Sequence, residues 1–170
     1  MDKVFIEENG IYQIDLSSSI NAVGDLHEKY KNIANFLSDV DFIFETEEDI
    51  FLVEYKNTDI DKADPKKLLE KISNGEIYNW IHKKFYGTMF YVLATTNNKK
   101  VNFIFVLECK DADSVVRKRI RAKAKKRLPF RLQEDETIGR NLIHNFDVLS
   151  IANWNEIYPQ FPLTKITKEE

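Results

Sequence analysis

The stretch from Val40 to Asn57 (V-D-F-I-F-E-T-E-E-D-I-F-L-V-E-Y-K-N) limits what this chain can become more than any other. Two short apolar runs, Phe42-Ile43-Phe44 and Ile50-Phe51-Leu52-Val53, flank an acidic turn. Aromatic and β-branched residues dominate both, as pleated strands favour. The second run has no polar alternation, so it reads as a strand covered on both faces. It nevertheless runs straight into Glu54 and Lys56. Charges at the end of a buried strand need a partner, a metal or water.

Side chains two apart in a strand share a face, so Glu54 and Lys56 point the same way. With Glu47-Glu48 as a two-residue turn, Thr46 faces Asp49, and counting back places Asp41 opposite Glu54. The pairing rests on that turn. Glu-Glu is not a favoured hairpin pair, and a slip of one residue would carry Asp41 to the other face. Directly opposed carboxylates repel unless a cation lies between them. A hard cation such as Mg²⁺ takes one or two carboxylates together with water and phosphate oxygens. Lys56, on the same face, is placed to steady an attacking water or a growing negative charge.

Asp41 followed by Glu54-Tyr55-Lys56 resembles the PD-(D/E)xK nuclease superfamily over roughly Ser18 to Ala94. Val40 stands where that pattern often has its proline. The resemblance implies a restriction-endonuclease-like core, with Asp41, Glu54 and the Tyr55 carbonyl as ligands of Mg²⁺ or Mn²⁺, Lys56 as the catalytic lysine, and DNA as substrate. A structural hairpin whose end carries an ordinary Glu–Lys pair is the other reading of the same residues.

Ser17-Ser18-Ser19 offers N-caps for a helix to about Leu37, with Ile20, Val23, Leu26, Tyr30, Ile33 and Leu37 on one face. In the superfamily this helix often adds an acid to the site, which implies Glu28. A helical wheel turns Glu28 away from the apolar stripe and leaves His27 nearer its edge, so a solvated Glu and an interfacial His remain the plainer reading. Gly24-Asp25-Leu26-His27 resembles the first-helix Gly/His motif of helicase-linked nucleases, with a gap one residue shorter.

The remaining elements follow in order. Asn9-Gly10 predicts a hairpin between Val4-Phe5-Ile6 and Ile11 to Ile14. Pro65 opens a short helix over Lys66 to Ile72, and Glu76 to Phe85 forms another that Gly87 ends. Met89 to Ala94 and Val101 to Leu107 then read as two buried strands. The second leads into Glu108-Cys109-Lys110, a second ExK whose preceding strand has no acid to serve as partner. Phe146 to Leu149 reads as an edge strand, Ser150 to Tyr158 as a short helix, and the segment with Pro159 and Pro162 as an irregular end.

Nine of the chain's 25 Lys and Arg fall between Ser114 and Gln133, with no Asp or Glu among them, while the whole chain carries a net charge of −3. Val116, Ile120, Ala124 and Leu128 make a thin apolar stripe on this basic helix. Without acids at four-residue spacing its charges repel one another. It reads either as a solvated helix balanced by acids elsewhere or as a phosphate contact with salt-dependent affinity. Arg117, Lys118, Arg121, Lys125 and Lys126, with Lys83 and Lys84, are the candidate nucleic-acid contacts.

At 170 residues, with hydrophobic content of 43% and charged content of 31%, the chain reads as one globular domain: a nuclease-like core over about 18–110, a basic helix at 112–128, and a C-terminal strand and helix over 145–158. The fold class is α/β, a mixed central sheet flanked by helices. No apolar run approaches a membrane span, and the N-terminus has no signal-peptide pattern. The lone Cys109 suits a reducing cytoplasm. No CxxC, GxxxxGK[ST] or GxGxxG pattern occurs, which removes the common zinc and nucleotide-phosphate motifs. The leading expectation is a Mg²⁺-dependent nuclease acting on DNA. A nucleic-acid-binding module without catalysis and a protein-interaction domain stand beside it. Many nucleases of this type cut as homodimers, though nothing in the sequence marks a dimer face.

Overall fold

The structure, a computed structural model, describes residues 3–33, 37–60, 63–96 and 98–167. Its centre is a five-stranded mixed sheet of order β3-β4-β5-β6-β7, formed by Asn21–Val23, Phe42–Glu45, Asp49–Asn57, Lys100–Glu108 and Asn145–Leu149. β3, β4 and β5 are antiparallel neighbours, and β5, β6 and β7 run parallel. Helices α1 (Leu26–Ile33), α2 (Pro65–Asn74), α3 (Glu76–Thr95) and α4 (Ser114–Lys125) cover one face. The other face is closed by α5 (Ile151–Ile157) and a small sheet. That sheet has the order β1-β2-β8, from Val4–Ile6, Tyr12–Asp15 and Leu163–Lys165.

The central hairpin takes the register expected from a turn at Glu47-Glu48. Phe42 pairs with Val53, Phe44 with Phe51 and Glu45 with Ile50, and Thr46 N donates to Asp49 O at 2.9 Å. The pattern puts Asp41, just before β4, across from Glu54. Ile43, Ile50 and Leu52 enter the helix-covered core, whereas Phe42, Phe44, Phe51 and Val53 enter the core on the other face. A strand buried on both sides needs this unbroken apolar run.

Three sequence expectations are corrected. The helix predicted from Ser17 to Leu37 is instead a turn, the edge strand β3 and the short α1; residues 34–36 lie outside the described residues. Leu26 and Tyr30 do face the core, but Ile20 is 58% exposed, and β3 satisfies the free edge of β4 before α1 begins.

Gly87 does not end a helix, and Met89 to Ala94 is not a strand: both lie inside the single helix α3. The reason is packing. A Cβ on Gly87 would stand 1.9 Å from Ser38 O, so the glycine lets the chain entering β4 press against the helix backbone. Tyr30 Oη donates to Gly87 O at 2.6 Å. Thr88 Oγ1 accepts from Val40 N at 2.9 Å and donates to Lys84 O at 2.8 Å.

The irregular C-terminal end contains β8, which pairs with β2 through Tyr12 and Lys165 and fills that strand's open edge. Other elements agree with expectation. Gly10 supplies the positive φ of the first hairpin. Pro65 opens α2 under an Asp64 cap. β7 lies at the sheet edge, and Ser150 caps α5.

Candidate active site

Four chain segments converge at the carboxyl end of β5. Asp41 comes from the approach to β4, Glu54 and Lys56 from β5, Lys84 from the middle of α3, and Glu7 to Asn9 from the tip of the first hairpin. Together with Tyr55, Asn57 and Trp80 they line a cleft of about 200 Å³. A second hollow of about 430 Å³ continues past Asp41 and Lys84 to Gly24, His27, Glu28 and Asp39.

Glu54 is 3% exposed, and its Oε2 lies 3.2 Å from Lys84 Nζ. The Lys84 ammonium is the contact this oxygen makes among the described residues. Burial, reinforced by the charge of Asp41, pushes the Glu54 carboxyl well above its usual range, and Lys84 only partly offsets this. Asp41 is held by Tyr55 N, which donates to its Oδ2 at 2.7 Å. Burial raises its pKa too, against the pull of Lys84. Lys84 loses solvent in the cleft, yet Glu54 and Asp41 outweigh that loss and hold its ammonium above the ordinary lysine value. The net picture is two buried acids facing one buried ammonium. The Trp80 and Phe105 rings meet in an edge-type contact at 5.5 Å, and the Trp80 ring lies 5.7 Å from Lys84 Nζ.

The structure brings Asp41, Glu54, Lys56 and Lys84 to one cleft. Lys56 is exposed at its mouth and makes no ion pair among the described residues. The Tyr55 backbone stands at the site, but its side chain belongs to the other face, where the ring packs on Tyr12 and the hydroxyl accepts from Asn57 Nδ2. Glu28 stays at the rim of the second hollow, exposed and 4.0 Å from Lys31, so it does not join the acid pair. The second ExK is also set apart. Glu108 Oε2 accepts from Ile151 N, and Glu108 lines a different hollow with Asp59 and Lys165.

Two acids escaped the sequence reading. Asp39, 4% exposed, accepts a contact of 3.3 Å from His27 Nδ1 and adds negative charge beside Asp41 and Glu54. Nothing in its sequence neighbourhood distinguishes it from a loop acid. Glu7, 6% exposed, gathers the hairpin tip: its Oε1 accepts from Ile11 N and Tyr12 N, its Oε2 from Asn9 N and Asn9 Nδ2. The Asn9-Gly10 turn signal was the clue available for it. Among the described residues no three His, Cys, Asp or Glu side chains gather closely enough to hold a metal ion by themselves.

The candidate nucleic-acid contacts divide. Lys83, Lys118 and Lys126 are exposed. Arg117 folds back on Ala112 O at 2.6 Å, Arg121 pairs with Asp147 at 3.4 Å, and Lys125 covers the Phe130 ring at 4.6 Å. The apolar stripe is as expected, with Ile120, Ala124 and Leu128 buried and Val116 packed against them. No helix among the described residues is long and apolar enough to cross a membrane. Comparison of the chain with protein-family models, with curated proteins and with solved structures found no match.

Proposed function

We propose that this chain is a divalent-metal-dependent nuclease that hydrolyses phosphodiester bonds in DNA on a restriction-endonuclease-like core. The observation that supports it is the Asp41–Glu54 pair, opposed across a hairpin, with Lys56 and Lys84 lining the same cleft. The residues suit Mg²⁺ or Mn²⁺. Glu54 Oε2 is buried with only the Lys84 ammonium beside it, and burial, reinforced in Glu54 by the charge of Asp41, pushes both carboxyls toward protonation, a cost that a bound cation would relieve. Asp41 and Glu54, beside the Tyr55 backbone, would hold the ion. A metal there polarises the phosphate and lowers the pKa of a bound water.

The chain's own residues supply the rest. The Tyr55 amide fixes the orientation of Asp41. Lys84 favours the ionised form of Glu54. Lys56, free at the mouth, meets the charge that grows on the phosphate oxygens, where a preorganised cation is worth most. Lys83, Lys118 and Lys126 grip the flanking backbone. The Lys84–Glu54 contact also favours a second reading, because an ammonium already partly neutralises the acids. On that reading the domain binds nucleic acid through its basic residues without cutting it.

Cleavage of plasmid and linear DNA with Mg²⁺ or Mn²⁺, comparing native protein with Glu54→Gln and Asp41→Asn, separates the two. Metal-dependent cutting abolished in both variants supports the nuclease. Salt-sensitive binding that survives both substitutions, with no cutting by the native protein, supports the binding module.

A further inference from the structure

From Ile77 to Thr95, and again from Ser114 to Gln133, the chain contains no Asp or Glu. These stretches are essentially α3 and α4 with the turn that follows, and the two helices lie side by side. His82 Nε2 sits 3.0 Å from Ala124 O, Tyr86 Oη donates to Arg127 O at 3.0 Å, and Arg127 Nη1 donates to Asn79 Oδ1 at 3.2 Å. Lys123 Nζ lies 5.7 Å from the Tyr78 ring. Their joint outer surface is therefore a band whose charges are all positive.

Large apolar side chains stand out of this band at helical spacing on α3: Tyr86 is 48% exposed, Phe90 64% and Leu93 41%. Single exposed apolar residues are ordinary, but a row of them on one helix marks a contact surface. The Tyr86 ring is preset. Its hydroxyl is anchored on Arg127 O, and it meets Phe85 edge-on at 5.2 Å. Lys83 shares the solvent side of α3 with Phe90 and directly precedes Lys84 of the cleft.

Building on the nucleic-acid reading above, we infer that this band binds a single nucleic-acid strand, its bases stacking on Tyr86 and Phe90 and its phosphates meeting Lys83, Lys126 and Arg127. Flat rings interleaved with cations match a polyanion whose base faces are open, which a duplex conceals within its own stack. A second copy of the chain fits poorly. Two all-positive bands repel each other, and three exposed side chains fall far short of the roughly 800 Å² per partner of a stable interface. The strand would then run over α3 from this band to the cleft at Lys84.

The test is fluorescence anisotropy with a labelled oligo-dT strand and with a duplex of equal length, in EDTA so that nothing is cut. Native protein is compared with Tyr86→Leu and Phe90→Leu, which keep apolar bulk and remove the flat ring. The expected result is tighter binding of the strand than of the duplex, and a loss of about tenfold in strand affinity for each variant with duplex affinity unchanged. Phe90 touches little of the core, so its variant folds even where Tyr86→Leu does not. Strand and duplex bound equally, or Phe90→Leu binding the strand as well as native, overturns the inference. So does a concentration-dependent dimer in sedimentation that Phe90→Leu dissolves, which would assign the ridge to a second copy. Metal-dependent cleavage is read on the same preparations. If it persists while the ring substitutions change nothing, the strand track falls and the nuclease stands; if there is neither binding nor cleavage, both fall.

Discussion

Lys84 Nζ lies 3.2 Å from Glu54 Oε2, so the ammonium nearest the second acid of the hairpin comes from the middle of a helix and not from the strand that carries Lys56. Lys84 is mostly covered and Glu54 almost wholly so, and removing one member of such a pair leaves the other stranded. Lys84→Met is expected to cost about 3 kcal/mol in urea unfolding at pH 8. The cost should shrink as pH falls and Glu54 takes up a proton, since its carboxyl is held well above the usual range.

The two lysines should separate by readout. Lys56→Met leaves the melting temperature within about a degree of native, because the side chain is exposed and unpaired. It lowers metal-dependent cleavage by roughly 100-fold or more if Lys56 meets the transition state. Paired thermal melts and cleavage rates check this. A Lys56→Met protein that cuts normally would transfer the role to Lys84.

Stability should also depend on pH in a defined direction. The Glu54 and Asp41 carboxyls titrate above their unfolded values in the folded protein. The folded state therefore holds more protons just above the ordinary carboxylate range. The stability from these groups is complete below that range and is lost as pH rises through the elevated folded values. In EDTA the melting temperature is expected to fall between mildly acidic and mildly alkaline pH. Glu54→Gln should flatten the curve, and a melt series against pH reads it directly.

Divalent metal should act on the same charge imbalance. Millimolar Mg²⁺ or Mn²⁺ is expected to raise the melting temperature by several degrees at pH 8, equivalent to about 2.7 kcal/mol when the ion is at a hundredfold excess over its Kd. The rise should vanish in Asp41→Asn and Glu54→Gln. An equal rise in those variants would locate metal binding elsewhere on the chain.

Gly87 tests how the site is positioned. With Ser38 O 1.9 Å from where a Cβ would stand, Gly87→Ala forces either α3 or the approach to β4 to move. The expected cost is about 3 kcal/mol, the upper end for overpacking. Cleavage should fall by more than the unfolded fraction accounts for, because Asp41 lies three residues beyond Ser38 on the displaced segment.

Much of this arrangement is legible in the sequence, and the illegible parts have physical causes. Antiparallel register is arithmetic once the turn is placed, so Asp41 and Glu54 could be paired by counting. The basic helix announced itself through its stripe. Ile20, Val23, Leu26 and Tyr30 imitate helical spacing although they span a turn, a strand and a helix start, because a short edge strand leaves almost no periodic signal. Met89 to Ala94 misled for the opposite reason: a six-residue apolar run is the same in a buried strand and on a half-buried helix, and Gly87 looked like a terminator when its small size serves a neighbouring backbone. Lys84 was visible as a phosphate contact, but its reach to Glu54 depends on α3 crossing the sheet, which local sequence does not encode. Asp39 and Glu7 matter through hydrogen bonds and charge that exist only after the chain has closed.

The pairing of β2 with β8 has a consequence in time. Tyr12 finds Lys165 only after every strand of the central sheet has been made, and contacts so distant in sequence form slowly because loop closure must come first. The hairpin tip that carries Glu7 and Glu8 onto the acid pair is therefore among the last pieces to be secured. A nascent or truncated chain would have its carboxylates in register across β4 and β5 while one wall of the cleft was still unsupported, so completion of the cleft should lag behind formation of the central sheet.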